Sequence, residues 1–228
     1  MNDLRSPPWM GTVFTTSLLV GVLGFTGCLS RPALNRETFT FNAPANDLTN
    51  NLAGSRVLGL RKLEIAAPFG GRSLVYRTGE FSYARDPYAE FLESPDEELM
   101  DPVREWLRRQ RNFKDVVVNG SAIIPDSLVE IHISRMFGDF RQSAHPLAIL
   151  TMQFTFLDAP KGVPGKVIFQ REYSRSISLS APSAPALMKG WDQALGEILP
   201  EVSSDLWNSE PERPGRQGRG VSAIGDGP

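Results

Sequence analysis

Residues 148–156 alternate, interrupted only by Ile149. Ala148, Leu150, Met152, Phe154 and Phe156 fall on one side, and Thr151, Gln153 and Thr155 on the other. A period of two predicts a strand with one buried face and one wet face. Looser alternation predicts further strands over residues 38–42, 57–66, 73–77, 113–118, 127–137 and 167–179. In the fifth of these, Val129, Ile131 and Ile133 share a face.

Two segments change period. Ser94-Pro95-Asp96-Glu97 has the form of a capping box with proline at the first helical position. Leu99, Val103, Trp106 and Leu107 then recur at helical spacing, with Pro102 inside the pattern as an expected kink or break. The second helix spans 184–207, where Leu187, Trp191, Ala194, Leu195, Ile198, Val202 and Leu206 recur at three and four and Pro200 predicts another kink. Trp106 and Trp191 sit in the middle of these apolar faces and are expected in the core. Gly70-Gly71-Arg72-Ser73 reads as a hairpin turn, and residues 46–55 as a polar, turn-rich loop.

The resulting order is βββ-α-ββββ-α. It predicts an α/β (α+β) fold: a mostly antiparallel mixed sheet of six or seven strands with two main helices packed on one face. One domain is expected over 37–208. After it comes a Gly- and Pro-rich tail, 209–228, with no apolar periodicity, which is expected to be disordered.

The start of the chain follows a different pattern. Residues 10–27 carry no charge, Arg5 precedes them, and they end in small residues. That is the form of a signal peptide, expected over 1–27. Phe25-Thr26-Gly27-Cys28 resembles a lipobox, and Cys28 is the only cysteine in the 228 residues. A lone cysteine forms no internal disulfide and no CxxC site. Lipidation of Cys28 gives it a role, with 28–36 as a lipidated tether. Two or three acyl chains make such an anchor firm, since each buried methylene contributes about 0.8 kcal/mol. The competing reading is an uncleaved anchor helix. Leu29, rather than Asp, follows the cysteine and favours the outer over the inner membrane, on the periplasmic face.

Composition adds little beyond exclusions. Hydrophobic residues make up 41% and charged residues 22%, with a net charge of −2, so there is no basic excess to hold nucleic acid. The two histidines, His132 and His145, have no carboxylate motif near them, and no metal or cofactor is expected. There is no GxSxG elbow or phosphate-binding glycine loop, so no catalytic residue is assigned. The aromatic run Phe81, Tyr83, Tyr88 and Phe91 has two readings. It is core at the start of the first helix, or it is a partner surface formed by Phe81, Tyr83, Arg85 and Tyr88. Aromatics with arginine are enriched at interface centres.

Several stretches together resemble a known family. They are Tyr83-Ala84-Arg85-Asp86-Pro87-Tyr88-Ala89-Glu90-Phe91-Leu92, Pro95, Val103-Arg104-Glu105-Trp106-Leu107, Phe113-Lys114-Asp115-Val116, Phe137-Gly138-Asp139-Phe140, Ala148-Ile149-Leu150, Tyr173 and Ala194-Leu195. The pattern is similar to auxiliary lipoproteins of ABC-type transport systems, including the paraquat-inducible type that accompanies MCE (mammalian cell entry) transporters. The resemblance covers about residues 37–207. It implies a non-catalytic, membrane-tethered component that works with an MCE-domain protein and an ABC permease and ATPase in moving phospholipid between membranes. It is also compatible with a homo-oligomer. A structural or assembly lipoprotein of the outer membrane is the alternative.

Overall fold

The computed structural model describes residues 36–42, 54–118 and 120–209. Cys28, the expected signal peptide, the 209–228 tail beyond Ser209 and most of the 46–55 loop lie outside the described residues. The described elements run β1 Glu37–Phe39, β2 Val57–Ile65, β3 Ser73–Arg77, β4 Tyr83–Phe91, α1 Pro95–Arg109, β5 Asp115–Val118, β6 Ser127–Asp139, β7 Leu147–Asp158, β8 Val167–Ser178 and α2 Ala184–Ser209. A short 3-10 turn at Pro160–Gly162 separates β7 from β8.

The sheet is organised around β6. One edge of β6 carries β7, antiparallel along its whole length, and β7 carries β8 in the same sense. The other edge carries two strands in tandem. β2 pairs in parallel with residues 127–133, and β3 pairs in parallel with Gly138 and Asp139. β2 and β3 are thus two halves of one interrupted path, joined by the loop 66–72 and not paired with each other. Beyond them lie β5, parallel to β2, then β4, antiparallel to β3, and β1, parallel to β4. Among the described residues the sheet has eight strands and is mixed, with its longest pairings antiparallel.

Both helices cover one face. Their apolar stripes and the inward side chains of the strands form one cluster, including Leu58, Leu60, Ile131, Ile133, Met152, Phe154, Phe156, Trp106 and Trp191. Trp106 and Trp191 are each 1% exposed, as their spacing predicted. α2 approaches the sheet closely at Gly190, where a Cβ would stand 2.5 Å from Leu179 Cδ2 and 2.7 Å from Ala148 Cβ. Ionic contacts fasten its far half to β8: Arg171 bonds Asp205 at 2.5 Å, and Arg175 bonds Glu197 at 3.1 Å and also pairs with Glu201.

Three local expectations are corrected, and the alternatives at the helix prolines are narrowed. Residues 83–91 form a strand where the sequence pattern predicted none. Gly70-Gly71 lies in the β2–β3 crossover loop and not in a hairpin, because parallel strands along one edge cannot be joined by a two-residue turn. Ser94 is the N-cap of α1, but its hydroxyl makes no capping bond; Glu98, not Glu97, reaches back and accepts the Glu93 N–H at 3.0 Å. Pro102 and Pro200 each sit inside one continuous helix, so of the kink or break expected at Pro102 the break does not occur. Packing of the apolar stripes against the sheet outweighs the one hydrogen bond that each proline removes.

Candidate functional site

β3 and β4 form a hairpin whose turn is closed by the Thr78 N–H donating to the Ser82 carbonyl at 2.9 Å. The turn projects Phe81, which is 89% exposed. Next along β4, the Tyr83 ring lies against Phe137, with centroids 5.5 Å apart, and against Phe69 at 6.1 Å. Its outer side remains half exposed, and the Arg77 guanidinium stands 6.0 Å from its centroid.

β4 then departs from regular pairing. Between Arg85 and Glu90 its register with β3 breaks. Asp86 Oδ1 accepts the backbone N–H groups of Tyr88 at 2.8 Å and Ala89 at 3.0 Å, replacing ladder bonds that the Pro87 region cannot make. Asp86 Oδ2 accepts the Tyr76 hydroxyl at 2.6 Å. Burial, with the adjoining Asp86 carboxylate, drives the Tyr76 phenol well above its ordinary range. The bulge turns Tyr88 outward, 58% exposed, and returns Ala89 and Phe91 to the core. Phe91 stacks on Phe41 at 5.4 Å and on Trp191 at 5.9 Å.

The two readings of the aromatic run therefore divide by residue. Phe91 is core; Phe81, Tyr83 and Tyr88 are exposed. Arg85 is not a free surface cation. Its guanidinium donates to the Pro68 carbonyl at 3.1 Å and the Gly70 carbonyl at 3.0 Å, tying the β2–β3 loop to β4.

The sheet face away from the helices is a weaker candidate. Thr151 is almost fully buried and shares a hydrogen bond with Ser174 at 2.9 Å. Gln170 Nε2 donates to Gln153 at 2.9 Å and Thr155 at 3.0 Å. These groups satisfy one another across β7 and β8. His132 is exposed on the same face, in register with Glu64 of β2. Among the described residues no group of His, Cys, Asp and Glu is placed to hold a metal ion.

A second apolar surface lies at the opposite end of β6. Ile123, Ile124 and Val163 are 48, 67 and 62% exposed beside a cleft of about 300 Å³ that Gly59, Val117, Pro125 and Leu128 help to line. The only sequence signal for it was the apolar run Ala122-Ile123-Ile124-Pro125, which fits neither a helical nor a strand period. No helix among the described residues is long and apolar enough to cross a membrane.

Solved structures share this fold. A DUF330-family protein from Xanthomonas campestris aligns with a TM-score of 0.62 at 18% identity, over 75% of this chain and 96% of that one. A second crystal structure, of an uncharacterized protein, aligns at 0.57 and 13% identity, over 75% and 99%. At these identities the likeness is one of fold alone. No curated protein matches the chain. The description "ABC-type transport auxiliary lipoprotein component" matches residues 39–203, which takes in every strand from the end of β1 onward, both surfaces just described and most of α2. With more than half of its length matched in this way, the chain belongs to the family of ABC-type transport auxiliary lipoprotein components.

Proposed function

We propose that this protein is a non-catalytic lipoprotein, anchored through Cys28 to the periplasmic face of a membrane, preferably the outer one. In this reading it serves an MCE-type ABC system that moves phospholipid between membranes. The observation that carries the reading is the family match over residues 39–203 downstream of a lipobox-like Phe25-Thr26-Gly27-Cys28. Working by contact accords with exposed aromatics on a braced strand and with a polar sheet face whose groups bond one another.

The surface we assign to the transporter partner is the outer side of β4, where Tyr83 and Tyr88 stand exposed. Arg85 acts there as a brace, holding the loop behind Tyr83 in place. Phe81 stands beyond them at the hairpin tip. Tyrosines offer large contact area at low entropic cost, and few interface residues carry most of the affinity.

Tyr88 is the cleaner probe, because Tyr83 also packs on Phe69 and Phe137. Tyr88→Ala is expected to reduce recovery of the ABC permease and MCE partner from detergent extracts about tenfold or more, the effect of removing one interface hot spot. The unfolding midpoint should stay near that of the parent. Undiminished recovery with both Tyr88→Ala and the double variant Tyr83→Ala/Tyr88→Ala, each folded by circular dichroism, overturns the assignment of this surface.

A further inference from the structure

β1 lies parallel to β4, with Glu37 beside Ala89 and Phe39 beside Phe91. Followed toward the N terminus, the backbone at Arg36 therefore points along β4 in the direction of Tyr83 and the hairpin tip. Arg36 is held at that edge by Glu90, at 3.1 Å. Cys28 stands eight residues before Arg36. Eight residues reach at most about 26–29 Å. A lipid on Cys28 thus keeps the β1 edge close to the bilayer. The hairpin tip, itself eight residues along the chain from Ala89, lies within the same reach and in the direction the chain points.

The chemistry of the tip fits such a position. Phe81 is the most exposed large apolar side chain among the described residues. Two guanidinium groups stand near the turn that carries it. Arg77 donates to the Gly79 and Glu80 carbonyls, and Arg141 pairs with Asp139 at 2.7 Å. The Glu80 carboxylate is the one acidic group in the turn itself. Aromatic rings beside arginines are the side chains that settle at the headgroup level of a bilayer. One phenylalanine does not hold a protein on a membrane. With the lipid already inserted, though, the contact is intramolecular, at an effective concentration in the millimolar range.

We propose that Phe81 seats in the interface of the bilayer that carries the Cys28 lipid. The β3–β4 hairpin is then a second membrane contact that fixes which end of the domain faces the lipid. This leaves Tyr83 and Tyr88 just above the headgroups, where a partner that reaches the membrane surface can meet them, and turns the Ile124 end away from the membrane. The inference rests on the anchor at Cys28.

The test uses the full lipidated protein, reconstituted into phosphatidylethanolamine/phosphatidylglycerol vesicles, with tryptophan placed at either end as Phe81→Trp or Ile124→Trp. Flotation with the vesicles reads the anchor, and quenching by lipids brominated on the acyl chain reads the contact. The expected result is flotation of both variants, a blue-shifted emission for Phe81→Trp, and quenching at least twice the parent's for that variant only. Flotation without extra quenching of Phe81→Trp overturns the membrane contact and leaves the anchor standing. Stronger quenching of Ile124→Trp reverses the orientation and also overturns it. A blue shift that arises only when the transporter is added assigns Phe81 to the protein partner instead. Failure to float removes the anchor, and this inference with it.

Discussion

Trp191→Ala is expected to destabilise the domain by about 3–5 kcal/mol, the range for truncating a buried tryptophan. Trp191 is 1% exposed on α2, which packs along β7 and β8. Its ring stacks on Phe91 and approaches Phe41 at 6.3 Å, and its indole N–H donates to the Ile149 carbonyl at 3.1 Å. Alanine removes the ring and leaves that carbonyl without its donor, so cavity and hydrogen-bond losses act together. A domain of this kind is stable by roughly 5–15 kcal/mol in total, so the variant should unfold at much lower urea concentration. Ile124→Ala, at a 67% exposed position, is the control and should change stability by less than about 0.5 kcal/mol. A Trp191→Ala protein within about 1 kcal/mol of the parent would move the tryptophan out of the core and undo the packing of α2 described above.

Cys28→Ser is expected to abolish lipidation and processing of the precursor. Serine offers no thiolate for the thioether that carries the diacylglycerol, and Cys28 is the only cysteine in the chain. The anchor's strength comes from its acyl methylenes, at about 0.8 kcal/mol each, so the substitution removes the whole lipid attachment and not a fraction of it. In cells supplied with labelled palmitate, the parent should carry label and require detergent for extraction. The serine variant should carry no label and accumulate as an unprocessed precursor. Labelled palmitate on Cys28→Ser, or normal processing with detergent-only extraction, contradicts lipidation at this position.

Most of the fold was legible because most strands here bury one face. β7 buries Ala148, Leu150, Met152, Phe154 and Phe156 as its alternation predicted, but Thr151, expected on the wet face, is buried too and bonds Ser174 of β8. The helices were legible for the same reason at a different period. β4 was not, because its middle, Arg85-Asp86-Pro87-Tyr88, interrupts the alternation with a bulge stabilised by the Asp86 side chain. No periodicity template contains a side chain standing in for a neighbouring strand. The same bulge decides the candidate site: it turns Tyr88 outward and Phe91 inward, a division that four aromatics within eleven residues do not reveal. Arg85 shows the limit from the other direction. The sequence pattern offered it to a partner surface, yet two carbonyls of a distant loop hold it. That crossover loop read as a hairpin because its glycines signal a turn without signalling which strands the turn joins.

The central claim, a contact-acting auxiliary of an ABC transporter, is tested most directly by what comes out of the membrane with the protein. The parent chain, expressed at native level and captured from a mild-detergent extract, should bring with it an ABC permease, its ATPase and an MCE-domain protein, identified by mass spectrometry. Capture of the Cys28→Ser variant from the same cells should lose them. Recovery of envelope-assembly proteins with no transporter component, in a preparation where the lipoprotein is folded and lipidated, would contradict the account and favour a structural role at the outer membrane.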